Sequence, residues 1–165
     1  MRKTTLIVPL RLRKHLYIFV LCTLSLCTLV GCKKGNEPET FVSNVSRPTW
    51  TVPSDYDYTS SMTAVIKVDL AAQYPDIAKD FVLDSNDLLA AFSSETCLGV
   101  ASPNDGLFYL YIAAPITGNP SSVTLRYYSA HYKNLFEAKD AFEYRNDTNL
   151  GTVAEPFVPT FIVAK

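Results

Sequence analysis

The sequence predicts an all-β fold: a single antiparallel β-sandwich, immunoglobulin-like or jelly-roll-like, behind a signal peptide and a short tether. Three observations predict it. Apolar and polar residues alternate over short runs, the pattern of a strand with one buried face. Clusters of Pro, Asn, Asp, Ser and Gly fall between those runs, where turns need them. No segment repeats its apolar residues at helical spacing over any length, and "YPDIAKDF" (residues 74–81) could form one helical turn and no more.

The elements follow in chain order. Residues 1–15 carry Arg2, Lys3, Arg11, Arg13 and Lys14 with no acid between them, and residues 16–30 carry no charge. A basic head before a short apolar run is the layout of a secretory signal peptide. The run is shorter than the roughly 20 residues a spanning helix needs. A membrane anchor with its N-terminus in the cytoplasm is the alternative reading. Residues 33–49, "KKGNEPETFVSNVSRPT", are polar, contain two prolines and lack periodicity, as a flexible tether does. From Trp50 onward aromatic and β-branched residues become dense, which places the folded domain at 50–165.

Within that domain "TAVIKVDL" (63–70) alternates. Ala64, Ile66, Val68 and Leu70 point to one face, and Thr63, Lys67 and Asp69 to the other. Residues 88–92 form a short apolar strand, followed by a tight "SSE" connection and a strand at 96–101. In that strand alternation puts Cys97, Gly99 and Ala101 on one face and Thr96, Leu98 and Val100 on the other. Gly99 marks a bulge or a close approach by another element. "SPNDG" supplies a turn before a strand at 107–114. "VTLRYYSAHY" (123–132) alternates again, and "NLFEA", "FEYRN" and "PFVPTFIVA" are further short strands. Pro156 and Pro159 flank the last strand and suit it to a sheet edge.

Two resemblances add to this reading. Leu29, Val30, Gly31 and Cys32, at the end of the signal peptide, resemble the lipobox of bacterial lipoproteins. The resemblance implies removal of residues 1–31, a diacylglyceryl group on the Cys32 thiol and usually an acyl group on the new amine. Residues 32–49 then form the lipidated N-terminus and tether, and the membrane is a partner through the lipid. Two or three acyl chains hold a protein stably where one does not. Lys33 is not the Asp that retains lipoproteins at the inner membrane of enteric bacteria, so the resemblance implies outer-membrane placement. Lys33 and Lys34 precede Glu37 and Glu39, an order that leaves the periplasmic and surface faces both open. Cys22 and Cys27 leave with the signal peptide and Cys32 takes lipid. Cys97 then remains alone, and no internal disulfide forms.

The second resemblance lies in the domain. Asn86-Asp87 leads a strand, Cys97 and Gly99 follow in "CLGVA", and a later strand ends at Ser129-Ala130. This order resembles a β-sandwich module of secreted and lipid-anchored proteins of Bacteroides-type bacteria, over residues 50–157. Leu98 stands where that module commonly has a basic residue. The resemblance implies a scaffold and assigns no activity.

Charge narrows the function classes. The chain holds 15 Lys and Arg against 16 Asp and Glu, and five of the basic residues precede Cys32, so residues 32–165 carry a net charge of about −6. An acidic domain without a basic run has no footprint for nucleic acid. It has none for an anionic membrane surface either.

Candidate site residues fall into three groups. Cys97 and His131, the one cysteine and one histidine after residue 32, could form a nucleophile and base only if adjacent and oriented by a third group. The expected roles are a small buried hydrophobe and a surface strand end. With no G-x-S-x-G, H-E-x-x-H or phosphate loop, no catalytic residue is expected. Asp55, Asp57, Asp84, Asp87 and Asp105 offer hard oxygen ligands on loops, which makes them weak Ca2+ candidates against the ordinary use of Asp in turns. Neither a metal nor any cofactor beyond the lipid is expected. Trp50, Tyr58, Tyr109, Tyr111 and Tyr128 are the ligand-binding candidates, because flat rings with polar tips stack on sugars. Tyr127 and Tyr128 point to opposite faces, so at least one belongs to the core.

The expected task is non-catalytic binding of a glycan or protein partner at the cell surface. The alternative is a structural subunit of an outer-membrane lipoprotein complex, and an enzyme comes last. A glycan binder keeps an exposed aromatic patch flanked by acids or amides. An assembly subunit keeps an apolar patch or an open edge strand. An enzyme shows a concave site with converging titratable groups.

Overall fold

In the computed structural model, residues 40–54, 58–115 and 120–164 are described. The residues expected to form the signal peptide, the lipobox with Cys32 and the tether through residue 39, and Asp55 and Asp57, lie outside them. The described residues form β1 (Tyr58–Ile66), α1 (Leu70–Gln73), β2 (Leu88–Ser93), β3 (Thr96–Ala101), β4 (Pro103–Asn104), β5 (Leu107–Pro115), β6 (Thr124–Ser129), β7 (Asn134–Ala138), β8 (Asn149–Leu150) and β9 (Phe161–Val163). Two sheets result, ordered β4-β5-β1-β8 and β3-β2-β6-β7-β9. Every pairing between strands is antiparallel except β1 with β8. The fold is the single β-sandwich that the alternation predicts.

The core lies between the sheets. Met62, Ala64 and Ile66 of β1 and Phe108, Leu110 and Ile112 of β5 meet Leu89 and Ala91 of β2, Leu125 and Tyr127 of β6, Phe136 of β7 and Phe161 of β9. Period-two alternation sends these residues inward and their neighbours outward.

Several elements differ from expectation, each for a local reason. Ala64, Ile66, Val68 and Leu70 are all buried, yet β1 ends at Ile66. The Asp69 carboxylate accepts from Ala72 N–H at 3.0 Å and caps α1, which breaks the ladder before Leu70. Residues 74–81 do begin with the single turn expected of them, in which the Tyr74 carbonyl accepts from Ile77 N and Ala78 N. "FEYRN" is not a strand. Phe142 makes one bridge to Val123, and the chain beyond it spends its polar groups on β1. Asn146 Oδ1 accepts from Ser61 N and Ser60 Oγ at 2.9 Å, and Asp147 N donates to Ser61 O at 2.8 Å.

The β2–β3 pair carries a bulge: Ala91 faces Gly99 and Phe92 faces Cys97, which leaves Leu98 extra. The bulge corrects the expected faces. Leu98 and Cys97 stay on opposite faces, but beyond the bulge the faces exchange: Ala101 packs with Leu98 on the core, and Val100 with Cys97, Ala90 and Phe92 in a second cluster on the outer side of the five-stranded sheet. Gly99 serves both purposes expected of it. It lies at the bulge, and a Cβ there would sit 2.1 Å from the Tyr111 carbonyl oxygen, so β3 approaches β5 too closely for any side chain.

The domain also begins earlier than residue 50. Phe41 is 1% exposed and packs edge-on against Tyr74, Tyr132 and Phe136, with ring centroids 4.9, 5.7 and 5.2 Å away. Ser43 N and Val45 N donate to the carbonyls of Tyr132 and Lys133 at 2.9 Å, and Asn134 Nδ2 donates to Phe41 O. The stretch expected as tether is therefore, from Phe41 on, a strap fastened to the sandwich. Its polar composition resembles a linker because its hydrogen bonds are made by backbone, which composition does not reveal.

Candidate functional site

The outward face of the four-stranded sheet holds the only exposed aromatic residues, among those described, from the Phe, Tyr and Trp set. Tyr109 is 43% and Tyr111 60% exposed. They occupy successive outward positions of β5, about 7 Å apart along the strand. Inward neighbours Phe108, Leu110 and Ile112 are buried and lock the strand that presents them. In the register with β1, Tyr109 stands opposite Val65 and Tyr111 opposite Thr63. Thr63 Oγ1 in turn donates to Asn149 Oδ1 of β8. Two phenol rings thus share a face with a threonine and an amide.

The other three aromatic candidates are engaged by the chain's own N-terminal strap. Trp50 lies edge-on to Phe92 at 5.7 Å and, with Val52 and Val100, covers Ala90, Phe92 and Cys97. The Arg126 guanidinium stands 4.4 Å from the centre of the Phe92 ring and is held by both oxygens of Glu95, at 2.9 and 3.0 Å. Tyr128 is only 5% exposed and donates to the Val45 carbonyl at 3.3 Å. Its expected role as a stacking residue is corrected: the strap covers the outward face of β6 that would have presented it. Tyr58 is half-buried and donates to Pro53 O at 2.7 Å.

The acidic candidates separate in the same way. Asp87 is fully buried and accepts from Tyr127 Oη at 2.6 Å, Ala130 N at 2.7 Å and Asp84 N at 3.0 Å. Burial pushes its pKa above the usual carboxylate value, against the lowering effect of those donors. Burial likewise raises the Tyr127 phenol far above its ordinary range, with the Asp87 charge adding to the effect. Both Asp87 oxygens are taken, so a cation would have to displace structural bonds. Asp84 Oδ1 accepts from both nitrogens of Asn86, at 2.7 and 2.9 Å, as an Asx turn does. Among the described residues no three His, Cys, Asp or Glu side chains gather around one point. Asp87 also explains why "ND" and "SA" belong together: the acid before β2 holds the backbone N–H that follows β6.

Cys97 is a buried free thiol whose pKa burial pushes up, with Sγ 3.7 Å from the Gly99 carbonyl. His131 is exposed in the β6–β7 turn and lies edge-on to Tyr132 at 4.6 Å. One group sits under Trp50 and the other is in solvent, and no hydrogen bond joins them. An activated thiolate needs an electropositive, accessible setting, which Cys97 lacks.

A groove of about 600 Å³, not foreseen from the sequence, lies at one end of the sandwich. Its rim includes Lys67, Asp69, Val82, Asp84 and Asp105. Asp69 pairs with Lys67 at 2.9 Å, and that hydrogen bond, ahead of the one from Ala72, holds its pKa down. Its residues come from three separate loops, and no sequence pattern links them.

Comparison with protein-family models, with curated proteins and with solved structures finds no match to this chain.

Proposed function

We propose that this protein is a non-catalytic binding module that stacks a glycan on Tyr109 and Tyr111 and is held at the cell envelope by lipid on Cys32. One observation carries the binding half: of all the described Phe, Tyr and Trp residues, these two alone are exposed, side by side on a rigid strand. Core packing does not account for them, since their rings point away from it. Flat rings with polar tips suit the apolar faces and hydroxyl edges of sugars. Thr63 and Asn149 supply the polar flank. The lipid half rests on the resemblance of residues 29–32 to a lipobox.

Strand-mediated assembly finds less support. Of the four edge strands, β4 and β8 are two residues long and the edge of β9 is covered by side chains, which leaves the six-residue β3 as the longer edge.

Affinity gel electrophoresis with soluble polysaccharides tests the reading. The protein should be retarded by at least one gel, and Tyr111→Ala should weaken that interaction tenfold or more, about 1.4 kcal/mol. Substitution of such exposed residues should leave the unfolding midpoint nearly unchanged. A Tyr109→Ala/Tyr111→Ala protein that migrates as the parent does in every gel would sink the proposal. For the anchor, the intact mass of protein from the membrane fraction should show an acylated Cys32 as first residue. A different N-terminus, or no acyl mass, refutes it.

A further inference from the structure

We infer that the glycan taken by the Tyr109–Tyr111 face is a neutral polysaccharide bound along its chain, an inference that rests on the glycan reading above. The charge distribution carries it. The outward residues of β1 on this face are Thr59, Ser61, Thr63 and Val65, and the cross-strand neighbour on β8 is Asn149. None of them, nor either tyrosine, bears a charge. Lys67, the next outward residue beyond β1, is already paired with Asp69 at 2.9 Å. The two described arginines with ion pairs are also spoken for: Arg126, on the other sheet, by Glu95, and Arg145 by Glu143.

Among the described residues of these strands, a uronic or sulfated chain would therefore meet no free cation. It would also approach an acidic protein, residues 32–165 carrying a net charge of about −6, although salt screens the repulsion from acids further off than roughly 10 Å. Recognition of carboxylate or sulfate requires arginine or lysine placed to meet it. Hydroxyl-rich neutral sugar needs only what is present: two ring faces, phenol oxygens, a threonine and an amide. Two stacking positions in a row on one strand also favour a length of chain over a single sugar.

The test uses the full mature chain in affinity gels cast with neutral polysaccharides (xylan, galactomannan, hydroxyethylcellulose) or with anionic polygalacturonate, at low and high salt. Retardation by a neutral gel is expected, lost in Tyr111→Ala, unchanged by salt and not released by free monosaccharides. Polygalacturonate should not retard the protein at either salt concentration. Tyr111-dependent retardation by polygalacturonate as strong as by any neutral gel overturns the inference while leaving glycan binding intact. Complete release by free glucose, mannose, galactose or xylose overturns the claim that a chain is bound. No Tyr111-dependent retardation in any gel removes both the inference and the reading beneath it.

Discussion

Asp87 shows how much a single buried carboxylate can organise. It stands one residue before β2, and its two oxygens hold the turn that leads into that strand, the phenol of a core tyrosine and the backbone that leaves β6. Replacing it with Ala would strand three donors. A buried donor without a partner costs about 1–3 kcal/mol, so Asp87→Ala should lose about 3 kcal/mol or more, read from urea denaturation. Asp87→Asn keeps the shape but must turn its amide nitrogen towards at least one donor, Ala130 N in the better orientation, and it too should destabilise. The pKa direction gives a second check. A carboxyl whose folded pKa is raised favours the folded state at low pH, and that contribution is lost as pH rises from 3.8 through the folded pKa. The stability gap between the parent and Asp87→Asn should therefore narrow across that window, and the Asp87 carboxyl carbon should titrate above 3.8 by NMR. A midpoint at or below that value would show that the three donors outweigh desolvation. From the sequence, "ND" and "SA" could be recognised as motifs. That they touch could not, because Asp87 and Ala130 lie 43 residues apart and nothing local encodes their meeting.

Strands were legible where alternation alone determines them, and less so where long-range partners do. β3 and β7 begin and end where the residue pattern places them, and the last strand takes the edge position its prolines suit. Gly99 signalled the bulge, but not that Leu98 would be the extra residue, because a register shift belongs to a pair of strands and one strand's pattern cannot place it. β4 and β8 escaped because two residues carry no period. The edge of β9 has its own device. Gln73 Nε2 donates to Pro159 O at 2.7 Å while Gln73 Oε1 accepts from Phe161 N at 2.9 Å, so a side-chain amide takes the place of a neighbouring strand's peptide. Tyr74 Oη continues the cover by donating to Phe161 O at 2.6 Å. Gln73→Ala should cost about 1–2 kcal/mol for the two bonds. It should also speed hydrogen exchange at the Phe161 amide. Unchanged exchange there would mean that the amide is protected by something other than Gln73.

The exposed tyrosines and the strap lie on opposite outer surfaces of the sandwich, Tyr109 and Tyr111 on the four-stranded sheet and Trp50 and Tyr128 against the five-stranded one. That division separates Tyr109 and Tyr111 from Trp50 and Tyr128, while Tyr58, on the four-stranded sheet, is held by Pro53 O. It was illegible because a polar, proline-containing stretch with one phenylalanine has the composition of a tether. The folding unit should reflect the strap. Phe41→Ala should cost about 3–5 kcal/mol, the range for emptying a buried phenylalanine site. A chain begun at residue 40 should melt as the parent does, while one begun at residue 50 should melt far lower. Equal melting of the two would show that the strap is an accessory. The position of Phe41 has a mechanical meaning as well. Tension arriving along the backbone from the N-terminal side reaches this ring before any strand of either sheet. The fastenings behind it, Ser43, Val45, Tyr128 and Trp50, then take up the load in turn. Once slipped, residues 41–52 would reach at most roughly 40 Å end to end, part of which the fastened strap already spans. The strap thus ties pulling to folding: a load that draws Phe41 from the core also loosens the sandwich that presents Tyr109 and Tyr111.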